Sequence, residues 1–431
     1  MSCASGYQMA RHAKAVSFVF LAVTLAALAG CGSSSGGSGG ANPRAVIESS
    51  TLSGTLPLTV AFDGTASSAE SEATIASYLW DFGDGSQSID AVTSHTYTSA
   101  GTYRVSLTVM DTQALSGEAR VSVTVTQSLG APVALLAASA HSGIEPLSVS
   151  FDSSGSHDPD GTIVSYEWSF GDGATSSAAA PSHTFSAGVH TVILTVTDDS
   201  GATGQDSTLV AVASYDDEVV RLVNVERSSS HLPPIKDEAH LVSAALRHST
   251  DMANNMVDYI SHTGTDGSTY DQRIGDAGYT GWTAIAENIA AGYSTPSAVI
   301  AGWMASSGHR ANILSTNCRE IGVSYVYAAA GYQHFWTQDF GARTSVFPVV
   351  INREEFSTTS ATVSLYIHGS GWAEQMQVSN NADFAGAAWE PYSETKSWDL
   401  FSGLGTKTVH LKLKRGTTEV VSSDTIARVE S

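Results

Sequence analysis

Cysteine is nearly absent from this 431-residue chain, which has only Cys3, Cys31 and Cys318. The first two lie within or at the end of an apolar N-terminal leader, so Cys318 is left without an intramolecular partner. A disulfide-built domain is therefore excluded. We interpret Cys318 as a small buried residue rather than a nucleophile, because no histidine stands beside it in the sequence.

Basic residues are also scarce. The chain has 20 Lys and Arg against 42 Asp and Glu, a formal net charge of −22. Nucleic-acid binding needs a cationic face, so we expect no nucleic-acid partner. Charged residues make up only 14% of the chain, below the usual quarter or so. A surface rich in Ser, Thr, Asn and Gly is typical of extracellular β modules.

The leader, residues 1–30, has the pattern of a signal peptide. Its apolar run, Ala15–Leu28, is too short for a comfortable membrane span. It ends in Leu28-Ala29-Gly30-Cys31, which resembles the bacterial lipobox, and the Gly/Ser-rich linker 31–43 would suit a tethered protein. We therefore expect a lipid on Cys31, the membrane as a partner through it, and a location at the cell envelope or surface. An ordinary signal peptide followed by a chance cysteine is the alternative.

An internal repeat spans residues 44–127 and 131–214. Trp80-Asp81-Phe82-Gly83-Asp84-Gly85 recurs as Trp168-Ser169-Phe170-Gly171-Asp172-Gly173, and SHTY recurs as SHTF. Alternating apolar residues in both copies predict half-buried strands. The motif resembles that of PKD (polycystic-kidney-disease) repeats, which implies two Ig-like sandwiches.

The second repeat alone contains Asp-Pro-Asp-Gly. Asp158 and Asp160 there, with Asp172, are candidate Ca²⁺ ligands. The alternative is that they are solvated turn residues.

Residues 216–343 change to helical spacing followed by strands, which predicts an α+β domain. Helices are predicted over Asp216–Arg227, Asp237–Met256 and Tyr270–Ala277, and another is expected to begin at Pro296. Strands are predicted over Glu320–Ala328 and His334–Phe340. Residues 346–431 return to strand alternation and resemble an Ig-like module found at the ends of bacterial secreted proteins.

The candidate catalytic or ligand-binding residues of the chain are concentrated in 286–324. Glu287 lies in AENIAAG and His309 in GWMASSGHRANIL. Together with SHTGTDG, which contains His262, and EIGVSY and FWTQDFG, these motifs resemble the bacterial branch of the CAP superfamily (cysteine-rich secretory, antigen 5 and pathogenesis-related proteins). The resemblance implies an α-β-α sandwich whose cleft gathers His262, Glu287 and His309.

The resemblance is incomplete at one position. Ser306 stands where the eukaryotic pattern has a second glutamate. Glu320 and Asp339, in neighbouring motifs, could substitute for it. His248 lies on an apolar helix face and is interpreted as a core residue.

Two imidazoles and a carboxylate can hold a divalent metal such as Zn²⁺ and leave a position for water. Without a metal, Glu287 could orient His309 as a base, although no nucleophile is evident. Structural hydrogen bonding is the alternative for all three side chains. The sequence leaves open whether the chain is an enzyme.

The sequence as a whole predicts a multidomain protein: two all-β Ig-like PKD sandwiches, one α+β CAP domain and a C-terminal Ig-like β-sandwich. The leading hypothesis is a cell-envelope lipoprotein that displays the CAP domain on a PKD stalk. Its CAP cleft would bind an extracellular lipid, glycan or protein. The rivals are a metal-assisted hydrolase of peptide or cell-wall bonds and an adhesive or structural surface protein. The sequence lacks H-E-x-x-H and G-x-S-x-G, which disfavours the hydrolase.

Overall fold

The computed structural model describes residues 41–70, 72–127 and 129–431. The predicted signal peptide, most of the linker and the lipid site at Cys31 lie outside these residues and stay predictions. The chain divides into two compact units after Leu129, and each is described on its own. None of the helices in the described part is long and apolar enough to cross a membrane.

The first unit is a β-sandwich. A three-stranded sheet of order β1-β3-β6 faces a five-stranded sheet of order β2-β8-β7-β4-β5. Trp80 is fully buried between them, and its indole N–H donates to the Asp90 carbonyl at 3.0 Å. The strands are β1 (Glu48–Ser49), β2 (Ser53–Thr55), β3 (Leu58–Asp63), β4 (Ile75–Asp81), β5 (Gln87–Ser88), β6 (Val92–Tyr97), β7 (Gly101–Asp111) and β8 (Ser116–Thr126).

The second repeat has the same strand order, with sheets β14-β11-β9 and β10-β16-β15-β12-β13. Its strands are β9 (Ala137–Ala138), β10 (Ser142–Ile144), β11 (Leu147–Asp152), β12 (Ile163–Ser169), β13 (Thr175–Ser176), β14 (Ser182–Phe185), β15 (Gly188–Asp198) and β16 (Thr203–Ala213).

Within each repeat, the Gly-Asp-Gly turn is in contact with the strand that carries the Ser-His-Thr motif. Phe170 stacks on His183 with ring centroids 4.3 Å apart, and His183 Nε2 lies 2.6 Å from Asp172 Oδ2. Phe82, His95 and Asp84 form the same arrangement in the first repeat. The Asp of the Gly-Asp-Gly turn is thus paired with the His of β6 in the first repeat and of β14 in the second, which gives the two motifs a shared structural role.

The C-terminal module repeats this topology although it lacks the PKD motif. Its sheets have the orders β21-β23-β26 and β22-β28-β27-β24-β25, which correspond strand for strand to those of both repeats. Its strands are β21 (Val349–Ile351), β22 (Ser357–Thr358), β23 (Thr362–Ile367), β24 (Gln375–Ser379), β25 (Glu390–Pro391), β26 (Thr395–Asp399), β27 (Gly405–Arg415) and β28 (Thr418–Arg428).

The α+β domain lies in the chain between the second repeat and the C-terminal module. It is a three-layer sandwich around a sheet of order β17-β19-β20-β18. Side chains of α1 and α4 pack on one face, and those of α2 and α3 on the other. The elements are α1 (Tyr215–Ser229), β17 (Lys236–Asp237), α2 (Ala239–Asn255), α3 (Tyr270–Asp276), β18 (Trp282–Ala291), α4 (Pro296–Ala305), α5 (Ser307–Ile313), β19 (Glu320–Tyr327) and β20 (His334–Arg343).

The four predicted helices are present, and α2 buries the predicted face that includes His248. Thr295 caps α4 and Pro296 occupies its first turn, as expected from the sequence. Strand β18 and the short helix α5 were not predicted. Cys318 is buried and free, and burial raises the pKa of its thiol.

A charged junction joins this domain to the C-terminal module. Lys236 Nζ lies 2.9 Å from Glu354 Oε2 and 2.8 Å from Asp424 Oδ1. Asp217 and Asp237 line the adjoining cavity of about 180 Å³. Further along the junction, the buried His368 bonds through Nε2 to the Pro234 carbonyl at 2.8 Å.

Candidate functional site

Glu287 lies on β18, the edge strand of the sheet. Its side chain is only 1% exposed, yet both of its carboxylate oxygens are bonded. Arg273 on α3 donates from Nη2 to Oε2 at 2.6 Å, and His262 Nδ1 lies 2.7 Å from Oε1. A buried charge is stable only when it is paired in this way.

His262 lies in the loop between α2 and α3, and its side chain is 53% exposed. Arg273, which is 1% exposed, also donates to the carbonyls of His262 and Ser268, at 3.1 and 2.8 Å. One guanidinium thus fixes both the loop that carries the imidazole and the carboxylate that orients it. The Nε2 edge of His262 is left facing away from the pair.

His309 comes from the other side of the edge strand, on α5. The Asn288 amide donates to the His309 carbonyl at 3.1 Å, and the Asn312 amide donates to the Glu287 carbonyl at 3.2 Å. These bonds fasten α5 to β18. Partial burial, and then the charge interaction with His262, lower the pKa of His309 and favour its neutral imidazole.

Asp339 lies directly beneath the site, opposite Glu287 in the β18–β20 pairing. It is fully buried, and neither of its carboxylate oxygens has a hydrogen-bond partner among the described residues. Burial, reinforced by the charge of Glu287, raises its pKa well above the usual range. Burial therefore favours the neutral acid of Asp339, which is closed off from solvent beneath the site.

The structure brings His262, Glu287 and His309 to one edge of the sheet. The hypothesis that Glu287 orients a histidine holds for His262 rather than for His309. Glu320 lies elsewhere, ion-paired to Arg343 and bonded by the Tyr279 hydroxyl at 2.7 Å. Ser306 is the residue where α4 ends and α5 begins.

The predicted Ca²⁺ ligands are engaged in hydrogen bonds within the protein. Asp160 accepts from the Gly130 N–H at 2.9 Å, Asp158 accepts from the Asp160 N–H at 3.3 Å, and Asp172 pairs with His183. Across the described ranges, no group of three or more His, Cys, Asp or Glu side chains has a geometry that could hold a metal ion. Calcium stays a prediction.

The cleft matches a divalent metal only in part. Glu287 is already bonded to Arg273 and His262, so it belongs behind His262 rather than among the ligands. A carboxylate that holds the second ring nitrogen of a ligand histidine is common at metal sites. The cleft then offers two imidazoles, fewer than the three or four protein ligands usual for zinc. We derive no step through a metal.

Residues 220–340 match the cysteine-rich secretory protein (CAP) family, and residues 41–126 and 130–212 match the PKD domain family. The chain is a CAP-domain protein with two PKD repeats. Both resemblances found in the sequence are thereby confirmed.

Two relatives illustrate the two halves of this description. The chain is 39% identical over 131 residues to the uncharacterized protein YkwD of Bacillus subtilis, covering 30% of this chain and 48% of that protein. It is 39% identical over 145 residues to the pre-pro-metalloprotease PrtV of Vibrio cholerae, covering 31% of this chain and 14% of that protein. The chain thus spans less than half of either relative.

An extracellular SCP-domain protein from Bacillus anthracis shares 19% identity with the chain. The match covers 50% of this chain and 68% of that one, with a TM-score of 0.27.

Sequence reasoning missed Arg273, Asn288 and Asn312. Arg273 is one of two fully buried arginines, with Arg227, in a domain with few basic residues. Its place in a short helix that contains Asp271 and Asp276 was the one signal in the sequence. The two asparagines gave no signal, because only the packing of α5 against β18 shows their role.

Proposed function

We propose that this CAP-domain protein binds an extracellular ligand at the cleft formed by His262, Glu287 and His309. The observation that carries the proposal is the contrast in exposure within one hydrogen bond. An imidazole that is 53% exposed is held at 2.7 Å by a carboxylate that is 1% exposed. A buried ion pair is weak evidence for stability, and here it presents an oriented polar ring to solvent.

The ligand would be a lipid, a glycan or a protein outside the cell. The PKD and CAP domains support a secreted or surface-displayed protein. Anchoring through a lipid on Cys31 belongs to the same proposal, with the PKD repeats as spacers between membrane and cleft. If Cys31 carries the lipid, Cys31→Ala will abolish incorporation of radiolabelled fatty acid, and unchanged labelling would exclude the anchor.

Binding can be tested with the intact chain and three probes: purified peptidoglycan, phosphatidylcholine vesicles and an unstructured peptide. We expect one probe to bind and His262→Ala or His309→Ala to weaken its binding about tenfold or more. His240→Ala is the matched control, because His240 Nδ1 also lies 2.7 Å from a glutamate, Glu238, and is 48% exposed. Equal binding by all variants would exclude the cleft as the site.

Hydrolysis is the second candidate function, favoured by the Glu287–His262 pair itself. A carboxylate on Nδ1 fixes the tautomer of the ring and leaves Nε2 to accept a proton from water or substrate. Glu287→Gln would keep the shape but weaken that base. Cleavage of peptide or cell-wall substrates that is lost in both His262→Ala and Glu287→Gln would favour an enzyme over a binding protein.

A divalent metal at the cleft is also a proposal, with the two imidazoles as its protein ligands. When bound, such an ion would act as a Lewis acid toward a ligand oxygen. Metal analysis of the purified chain beside His309→Ala tests it. Loss of bound zinc in the variant supports the site, and equal metal content contradicts it.

The adhesive alternative is tested by removing the first repeat, residues 44–127, since it forms its own unit. The second repeat is unsuited to deletion, because its Ala211 packs with Ala427 and Val429 of the C-terminal module. Retained binding after the deletion would count against a role of the first repeat in adhesion.

A further inference from the structure

The cleft adjoins an unpaired stretch of sheet edge. β18 pairs with β20 on one side only. Its second half is covered, since Trp303 donates to the Ile289 carbonyl at 3.1 Å and Asn312 donates to the Glu287 carbonyl at 3.2 Å. Its first half is more open: Trp282 and Thr283 are exposed, and Ala284 to Ala286 are half-buried.

The pairing register shows which main-chain groups point outward. Gly292 donates its N–H to the His334 carbonyl of β20, so the even-numbered residues of β18 face β20. The bonds received by the Glu287 and Ile289 carbonyls show that the odd-numbered residues face away from it. Ile285 lies opposite Gly341 of β20, but the Gly341 carbonyl accepts from the Arg319 N–H instead. The N–H and C=O of Ile285 therefore point out of the sheet.

Three main-chain groups form this open edge: the N–H and C=O of Ile285 and the N–H of Glu287. Among the described residues, no side chain or loop carbonyl accepts from either N–H. Glu287 is 6% exposed, and buried N–H groups are rarely left without a partner. A row of donor, acceptor and donor along a strand is matched by another extended main chain.

We propose that the ligand of the cleft is an extended peptide segment that pairs with the open edge of β18, with its backbone running past His262 and His309. This inference rests on the ligand-binding role proposed above and names its ligand class. The acyl chains of a lipid have no groups that could hydrogen-bond to the outward main-chain N–H and C=O groups. A glycan could meet single groups but does not repeat their spacing, which is that of a β-strand.

The probe is a decapeptide of alternating Thr and Val with a Lys at each end, added to the intact chain at millimolar concentration. Hydrogen–deuterium exchange is followed at single residues of 282–291. We expect the amides of Ile285 and Glu287 to exchange at least about tenfold more slowly with peptide, and those of Asn288 and Ala290, already paired with β20, to be unchanged. The same peptide with every amide N-methylated should give no protection.

Ile285→Pro tests the edge from the protein side. It removes an outward N–H without removing a bond to β20, so it should abolish the protection. Ile285→Ala is its control, because it shortens the side chain that packs near Leu241 and Ile274 but keeps the N–H. Should the proline variant fail to fold, the exchange pattern of the unmodified chain still decides.

Absence of protection at saturating peptide, or equal protection by the N-methylated peptide, overturns the proposal. Protection that grows with protein concentration in the absence of peptide also overturns it, because a second copy of the chain would then occupy the edge. His-dependent binding of peptidoglycan or vesicles without peptide protection would leave the cleft function standing and refute this inference alone. Peptide protection that is unaffected by His262→Ala and His309→Ala would leave the β18 edge as a peptide-binding site and refute the role of the two histidines.

Discussion

Two networks of buried charge in the second unit use the same chemistry for different ends. At the junction, Lys236 is held between Glu354 and Asp424, whose side chains are 10% and 3% exposed. In the cleft, Glu287 is held between Arg273 and His262. The junction network, which also accepts main-chain N–H groups such as that of Ile351, joins two domains. The cleft network ends on an imidazole in solvent, so its last member is available to a ligand.

The two networks also differ in the ratio of acidic to basic side chains. Acidic groups outnumber Lys236 at the junction, and burial raises the pKa of Asp237 to about 6 and that of Asp216, near the start of α1, to about 8. At the Glu287 site, one arginine pairs with one glutamate, and burial raises the pKa of Asp339 below them. The following predictions set the two networks against each other.

The largest effect is expected from Lys236→Met. It leaves Glu354 and Asp424 buried without a cation, which should lower the free energy of unfolding by about 3–5 kcal/mol. Urea denaturation measures it. Lys396→Met, which breaks a more exposed pair with Glu390, is the control and should cost about 0–1 kcal/mol. Similar losses in both variants would show that the junction is not a desolvated network.

Arg273→Met should cost less, about 2–3 kcal/mol, because Glu287 keeps its bond to His262, whose side chain is 53% exposed. The double variant with Glu287→Gln should recover part of the loss, since no unpaired charge remains. Urea denaturation of the single and double variants checks both statements. A loss equal to that of Lys236→Met would contradict the idea that His262 still stabilises Glu287 after Arg273 is removed.

Asp216→Asn tests the surplus of acid at the junction. Burial raises the pKa of Asp216 to about 8, above its unfolded value of 3.8. Its stabilising contribution is therefore complete below pH 3.8 and is lost as the pH rises through 8. We expect the variant to be more stable than the unmodified chain by at least about 2 kcal/mol at pH 8 and little changed at pH 4. Parallel pH profiles would contradict this.

His368→Gln is expected to have the smallest effect, with the opposite sign of pH dependence. Burial lowers the pKa of His368 to about 4. The stability that it contributes is present above pH 6.5 and is lost as the pH falls through 4. Glutamine keeps a donor for the Pro234 carbonyl, so the variant should lose about 1 kcal/mol less than the unmodified chain between pH 7 and 4. Denaturation midpoints across that range measure it, and identical slopes would refute it.

Much of the fold could be predicted because local patterns and tertiary contacts agree. A short stretch of sequence is enough to predict the apolar face of α2, the start of α4 at Thr295-Pro296 and the alternating strands of the PKD repeats. Strand β18 does not. Residues 287–290 are buried on both faces of the sheet, so alternation is lost, and Glu287, Asn288 and Ala290 have little strand propensity.

The site was predicted less completely than the fold. The residue types of the cleft came from motifs, but the choice of His262 over His309 as the partner of Glu287 depends on a loop held by Arg273. The pairing of Glu287 with Asp339, 52 residues apart in the chain, depends on strand register. The shared topology of the C-terminal module was equally hidden, since no motif of the repeats occurs in it.

The last residues of the chain return to the second repeat. Ala427 and Val429 pack with Ala211 of β16, and Glu430 accepts from the Thr208 hydroxyl at 3.0 Å. The CAP domain is therefore bracketed by two sandwiches that also touch each other. Tension arriving from the N-terminal side would be shared between the start of α1 and this sandwich contact.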